Sequence, residues 1–309
     1  MARRRGRDID GIILLDKPTG VTSNRALRRV AKLLDARKAG HTGSLDPLAS
    51  GLLVLCFGEA TKVSGWLLDA DKRYTAMARL GVTTDSADAD GAVLDRRPVP
   101  DIDAQRLESI LAAFRGPQQQ IPPMFSALKH NGQRLHELAR AGVEVDRPPR
   151  AVTINALDGE LIDDDRLALA IDCSKGTYVR SLVADIGEAL GCGAHVEALR
   201  RTALGPFIEP DMVSLEALED AAGDNAEAWR EWLQPIDTAL VDRPDVHLDA
   251  TAARRFGHGQ AVAAGRTDLP DKTLLRVYGP GRVLLGIATM DADGQAVPRR
   301  LLVQRHGGG

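Results

Sequence analysis

The chain has 309 residues, 44% of them hydrophobic and 27% charged, with a formal net charge of −3. That is an ordinary soluble globular composition, long enough for a real core and for two domains. No apolar run is long enough for a membrane-spanning helix, and the basic start Met1–Arg7 has no apolar segment behind it, which excludes a secretory signal.

Along the chain, Gly11–Leu15 reads as a short buried strand. Thr22 or Ser23 then caps a helix with Leu27, Val30, Ala31 and Leu34 on one face and basic residues on the other. Between Gly40 and Gly51 runs Gly-His-Thr-Gly-Ser-Leu-Asp-Pro-Leu-Ala-Ser-Gly. Its glycines permit backbone angles that other residues resist, and Pro47 pushes Asp46 away from the helical region. The expected result is a rigid loop presenting one acid at the edge of a buried strand, Leu52–Phe57. Taken alone, an Asp-Pro pair is more often a plain turn opener.

Tyr74–Leu80 reads as another strand. Asp103 caps a helix with Leu107, Ile110, Leu111 and Phe114 inward, and Gly116-Pro117 ends it. Residues 117–150, rich in Pro, Gln and Arg, read as an insertion with a short amphipathic helix around Leu135–Ala139. Val152–Leu157 and Leu167–Ile171 read as strands around the acidic turn Asp163-Asp164-Asp165. A helix over Tyr178–Leu190 and a strand over His195–Thr202 follow. After about Leu240 helical periodicity fades. Leu274–Tyr278, Arg282–Ile287 and Arg299–Val303 read as a small β unit with its own core. Gly307-Gly308-Gly309 is expected to be disordered.

Charge is unevenly distributed. Arg25, Arg28, Arg29, Lys32, Arg37 and Lys38 crowd one stretch, while residues 209–231 are acidic, so a basic face can coexist with an acidic total. Either run alone is more simply a solvated helix face. Cys56, Cys173 and Cys192 are odd in number and lie in or beside apolar segments, as expected for reduced thiols. Cys192 and His195 form a lone C-x-x-H without a second pair, so no metal site is expected. Gly40–Ser44 lacks the Gly-Lys-Ser/Thr ending of a phosphate-binding loop.

The Gly40–Gly51 segment resembles the signature loop of the TruB family, the bacterial tRNA pseudouridine-55 synthases. Further landmarks follow the family's order. They are Leu15-Asp16-Lys17-Pro18, Gly58-Glu59-Ala60-Thr61-Lys62, Asp71-Lys72-Arg73-Tyr74, Asp85–Gly91, Cys173–Arg180, and Gly193-Ala194-His195-Val196 running into Leu199-Arg200-Arg201. The resemblance spans about 11–303. It implies an α+β fold: a mixed, largely antiparallel catalytic sheet with helices over 11–240, a thumb-like insertion at 117–150, and a PUA-like pseudo-barrel over 241–305, behind a basic tail at 1–10.

The resemblance also implies a set of roles. Asp46 is the nucleophile, and Arg180 is the cation that keeps it ionised, able to grip it with two parallel hydrogen bonds. Tyr74 stacks on the target uracil and helps move its C5 proton, and Tyr178 is a second pocket tyrosine. His41 takes part in extruding the nucleotide, Leu199 packs against the base, and Asp88 contacts flipped-out nucleotides. Lys17 and Lys62 contact RNA or brace the site. His136 departs from the family, standing where tyrosine is frequent. No cofactor is implied, because nothing is oxidised and no group leaves the site. The implied partner is the T-stem-loop of tRNA, met by a cytoplasmic monomer without a guide RNA. Two other readings stay open: an RNA-folding protein with a secondary catalytic site, and a guide-RNA-dependent modifying subunit.

Overall fold

The computed structural model describes residues 6–126, 128–266 and 268–303, so the terminal glycines and the side chain of His136 lie outside it. Strand β1 (Gly11–Lys17) is apolar on both faces and buried on both, with Ile12, Ile13 and Leu15 fully enclosed. Helix α1 (Ser23–Leu33) is capped by Thr22, whose hydroxyl accepts from the Arg25 amide at 3.2 Å. Ser23 instead turns inward. Strands β2 (Ala39–His41) and β3 (Ser50–Phe57) pair antiparallel, so the glycine-punctuated loop shrinks to residues 42–49.

After the short helix α2 (Ser64–Asp69) come β4 (Lys72–Leu80) and the hairpin of β5 (Val82–Thr84) and β6 (Val93–Arg96). Asp103 caps α3 (Ala104–Ala113), accepting from the Arg106 amide at 2.7 Å. The insertion begins later than expected, because Gly116–Gln120 forms strand β7 on the sheet. Pro117 is tolerated there since β7 is an edge strand. The insertion proper carries β8 (Lys129–His130), β9 (Gln133–Arg134) and α4 (Leu135–Arg140). Strands β10 (Arg150–Leu161) and β11 (Arg166–Cys173) lead to α5 (Val179–Leu190), which stops at Gly191 in a left-handed conformation, φ 93°. Strand β12 (Ala194–Leu204) follows, then β13 (Phe207–Ile208), β14 (Val213–Ser214) and α6 (Leu215–Asp224).

These strands form one mixed sheet in the order β14-β1-β3-β12-β4-β11-β10-β7, with β2 beside β3 and β13 beside β12. Most neighbours are antiparallel. The exceptions are β1 with β14 and β3 with β12. The β3–β12 seam is only two residue pairs long, Ser50–Arg200 and Gly51–Arg201. Gly51 allows it: its φ is +94°, and a Cβ there would lie 2.3 Å from the Arg201 carbonyl oxygen. Helices α3 and α5 cover one half of the sheet over a core that includes Leu107, Leu111, Val183 and Ile186. Helices α1 and α6 cover the other half with Val30, Leu34 and Leu218.

The C-terminal unit is a five-stranded sheet of β15 (Asp245–His247), β16 (Val262–Ala263), β17 (Leu274–Tyr278), β18 (Leu284–Met290) and β19 (Gln295–Leu301). It has the small half-barrel character of a PUA-like domain. It is not without helix, since Asp249 caps α7 (Ala250–Gly257) and Phe256 is fully buried. Nor is its core separate. Val246, Leu275 and Val277 form a local cluster, but Ile287 is buried among Ile12, Leu14, Val54 and Leu240, and Leu274 packs against that group. Lys62 Nζ also donates to the Leu301 carbonyl at 2.9 Å, and Tyr278 donates to Asp237 at 2.7 Å.

Candidate active site

The loop carrying Asp46 is tied down from three sides. The Ser23 hydroxyl, 2% exposed, donates to the Leu45 carbonyl at 3.0 Å and accepts from the Leu45 amide at 2.8 Å. The Gly20 amide donates to the Pro47 carbonyl at 2.8 Å, and the Thr42 amide to Val54 of β3 at 3.1 Å. Behind the 18–21 turn, Lys17 is fully buried, and its ammonium donates to the carbonyls of Pro18 (2.8 Å) and Val21 (2.7 Å). Burial pushes Lys17 down to about 8, although Asp46 pulls it up. Lys17 is therefore a brace beneath the loop and out of reach of a large ligand.

Asp46 leaves the loop with its side chain 44% exposed, and its Oδ2 lies 3.0 Å from Nε of Arg180. Arg180, at the start of α5, is 4% exposed and engages four groups. Its Nη1 donates to the Ser86 carbonyl at 2.8 Å and faces Asp88 Oδ2 at 3.5 Å, while Nη2 donates to the Phe125 carbonyl at 2.7 Å. The two-pronged grip on Asp46 is thus not what forms. One buried guanidinium is shared between the Asp46 loop, the Asp85–Gly91 loop and the base of the insertion. Burial pushes the Asp46 carboxyl above its ordinary range and Asp88 adds to this, while Arg180 and Lys17 pull it back. Such competing shifts mark functional carboxylates.

Tyr178 caps α5 from just before Arg180. Its amide donates to Gln120 Oε1 at 2.7 Å, and its carbonyl accepts from Gln120 Nε2 at 3.0 Å, which clamps β7 to the start of the helix. Burial raises the Tyr178 phenol, and both Arg180 and Asp46 act on it. Tyr74 lies on β4, half-buried against the α3–α5 core, and burial raises its phenol too. Leu199, 8% exposed, sits opposite Ala76 across β12 and β4. His41 is on β2. Burial lowers its imidazole and Arg201 lowers it further, so it stays neutral near pH 7, and Nδ1 has no partner among the described residues.

The cavity in front of Asp46 is about 670 Å³ and is lined by Asp88, Phe125, Arg134, Arg140 and Arg180. A larger one, about 1020 Å³, adjoins it through Asp90 and includes Leu48, Ala76 and Leu199. Its wall is mostly apolar, whereas the Asp46–Arg180 pair opens into the smaller cavity. The structure therefore groups Asp46, Asp88, Arg180 and Tyr178, with Tyr74 and Leu199 alongside and Lys17 behind. Lys62 stands apart: it pairs with Glu59 at 2.6 Å and holds the C-terminal unit. The basic stretch is also less free than its sequence implies. Arg29 pairs with Glu219 on α6, and Arg37 with Asp8.

Sequence reasoning gave Gln120 and Arg201 no role of their own, read Ser23 only as a possible helix cap, and placed Arg134 and Arg140 in the thumb-like insertion without naming them as contacts. Arg134 and Arg140 carried a signal, as they bracket the amphipathic helix of the insertion. The tie of Ser23 to Leu45 and the clamp of Gln120 on Tyr178 carried none, because the partners are distant in the chain.

Residues 31–179 match the description "TruB family pseudouridylate synthase (N terminal domain)", 180–241 the tRNA pseudouridylate synthase B C-terminal domain, and 244–302 "Pseudouridine synthase II TruB, C-terminal". A protein of Nitrosococcus oceani named tRNA pseudouridine synthase B is 50% identical over 305 residues, covering 99% of this chain and 98% of its own. One of Stutzerimonas stutzeri with the same name is 52% identical over 301 residues, covering 97% and 98%. Among solved structures, a Cbf5-Nop10-Gar1 complex superposes with TM-score 0.74 at 27% identity, over 95% of this chain and 84% of that one. An H/ACA RNP bound to a substrate RNA containing 2'-deoxyuridine gives TM-score 0.71 at 25% identity, over 96% and 85%.

Proposed function

The chain belongs to the TruB family of pseudouridine synthases, and from that premise we propose that it isomerises uridine 55 in the TΨC loop of tRNA, with Asp46 as nucleophile. The observation that carries the reading is the 3.0 Å contact of Asp46 with the buried Arg180, at the mouth of a cavity with an aromatic and apolar wall beside it. A carboxylate can attack the sugar–base unit only while ionised, and Arg180 and Lys17 favour that form. Tyr74 and Leu199 offer a face for the detached base, so that it turns without escaping. His41, neutral and on the short strand before the loop, serves as a wedge for base extrusion. Asp88 meets the flipped-out nucleotides, and Tyr178 closes the pocket behind Arg180.

The enzyme works alone, as a cytoplasmic monomer without a guide RNA. Arg134 and Arg140 of the insertion overhang the cavity and give it its own grip on phosphates. Opening the tRNA elbow to reach the base also makes the protein a folding chaperone for the same RNA. The test of function is tritium release from C5-labelled uridine in a tRNA transcript. Release of one equivalent from the T-loop position is expected, and none would end the reading.

The C-terminal unit is proposed as a second RNA-gripping surface. Arg282, Arg299 and Arg300 are exposed on it, whereas Arg276 is half-buried and donates to the Arg243 carbonyl at 2.9 Å. Deleting residues 241–309 should weaken whole-tRNA binding and make its salt slope shallower by about 0.7–0.9 per lost phosphate contact. Chemistry on a short T-stem-loop should survive. Because Ile287 and Leu274 leave the shared core, the truncated protein should also melt earlier, by about 2 kcal/mol of stability for each large apolar side chain removed. Unchanged tRNA affinity and salt dependence in a folded truncation would remove the RNA-binding role.

A further inference from the structure

Arg201 is 1% exposed, and among the described residues no carboxylate pairs with it. Its Nε donates to the Leu52 carbonyl at 2.7 Å and its Nη2 to the Gly43 carbonyl at 3.1 Å, so one tie reaches β3 and the other the loop of Asp46. A guanidinium taken out of water without a counter-ion is costly, and packing alone would be served better by an apolar side chain. The charge therefore has some other use. Its effect spreads through the site, where it disfavours the charged forms of His41, Lys17 and Lys72.

Its position shows what it faces. In the antiparallel pairing of β4 and β12, Arg201 is directly opposite Tyr74, as Leu199 is opposite Ala76. Directly opposed residues share a face of the sheet. From there the guanidinium acts on the Tyr74 phenol, opposing the rise that burial causes. The titratable groups that act on that phenol most are Arg201 from β12, Cys173 from β11 and Asp46 from the loop. Cys173 is a buried thiol pushed up to about 11 and so neutral near pH 7, and Asp46 opposes negative charge on the ring oxygen. Arg201 is the cation among them.

We infer that Arg201 is a positioning residue for Tyr74: its guanidinium holds the phenol oxygen from behind, aims the hydroxyl at the cavity and stabilises negative charge on that oxygen. Through Gly43 the same side chain sets the spacing between the ring and the nucleophile loop. The inference rests on the proposed function only in making Tyr74 a participant at the base.

Tyrosine ionisation, followed by ultraviolet absorbance in RNA-free protein, tests it. The chain has three tyrosines, so subtracting the Tyr74→Phe spectrum isolates one. In Arg201→Gln the Tyr74 phenol should titrate at least about one pH unit higher than in the wild type. Single-turnover isomerisation of a saturating T-stem-loop should fall about tenfold or more while affinity holds, with much of the rate restored in Arg201→Lys. A folded Arg201→Gln protein whose Tyr74 titrates as in the wild type would overturn the inference. Should that variant not fold, Arg201→Lys decides: a Tyr74 titration displaced upward, by less than a full loss of the guanidinium would give, supports the role, because an ammonium cannot hold the Leu52 and Gly43 carbonyls and the phenol together, and a titration unchanged from wild type overturns it. The titration needs no substrate. A protein that shows the shift but releases no tritium keeps the inference and loses the proposed function; the converse keeps the function and loses the inference.

Discussion

Asp46→Asn should abolish turnover, by about a thousandfold or more, and leave tRNA affinity within about twofold. The first figure is about 4 kcal/mol of barrier. The second follows because affinity comes from phosphate contacts made elsewhere. The substitution keeps the shape of a side chain whose loop is held independently by Ser23, Gly20 and Thr42, so folding should be unaffected. The pH dependence carries a second signature. A nucleophilic Asp46 reacts only as the carboxylate, and burial raises its pKa, so on the proposed role wild-type activity should fall on acidification at a pH above the ordinary aspartate range. Activity of the asparagine variant within about tenfold of wild type would end the nucleophile assignment.

Arg180→Met should lower the single-turnover rate by about a hundredfold or more, roughly 2.7 kcal/mol, with a smaller effect on binding. Two causes act together. Removing the cation at 3.0 Å leaves burial and Asp88 to act on Asp46 with less opposition, so the acid limb of the rate profile should move to higher pH. The Ser86 and Phe125 carbonyls also lose a donor, which loosens the Asp85–Gly91 loop and the base of the insertion. A methionine variant with the wild-type acid limb would show that the pair does not control ionisation. Arg180→Lys should recover little, because one ammonium cannot reach four acceptors spread around a planar fork.

How much of this was readable beforehand depends on the range of each interaction. The caps at Thr22 and Asp103 and the alternation along β4 are local patterns, and they appear where they were expected. Asp46 stood out for the same reason, since glycines and a proline within a few residues shape its loop. Strand β7 was missed because Gly-Pro-Gln-Gln-Gln has no strand propensity of its own; pairing with β10 holds it extended. The clamp of Gln120 on Tyr178 joins residues 58 apart in sequence, and the tie from Arg201 to Gly43 joins residues 158 apart. Lys17 read as either an RNA contact or a brace, because a motif lysine does not reveal its own burial; β1 carries it under the loop. The shared burial of Ile287 was hidden because β18 is as apolar as a strand inside a self-contained unit would be.

The docking of the C-terminal sheet onto the catalytic core gives the molecule a fixed internal length. Ile287 inside the neighbouring core, Lys62 bonded to the Leu301 carbonyl, and Tyr278 bonded to Asp237 leave that sheet little freedom to swing. A surface carried this way behaves as a gauge. With RNA seated on it, as proposed for this unit, there would be one distance to travel to Asp46, and a stem one base pair too long or too short would deliver the wrong nucleotide. On that proposal, substrate choice would be partly a matter of measurement, made in ångströms along the RNA rather than by reading its bases.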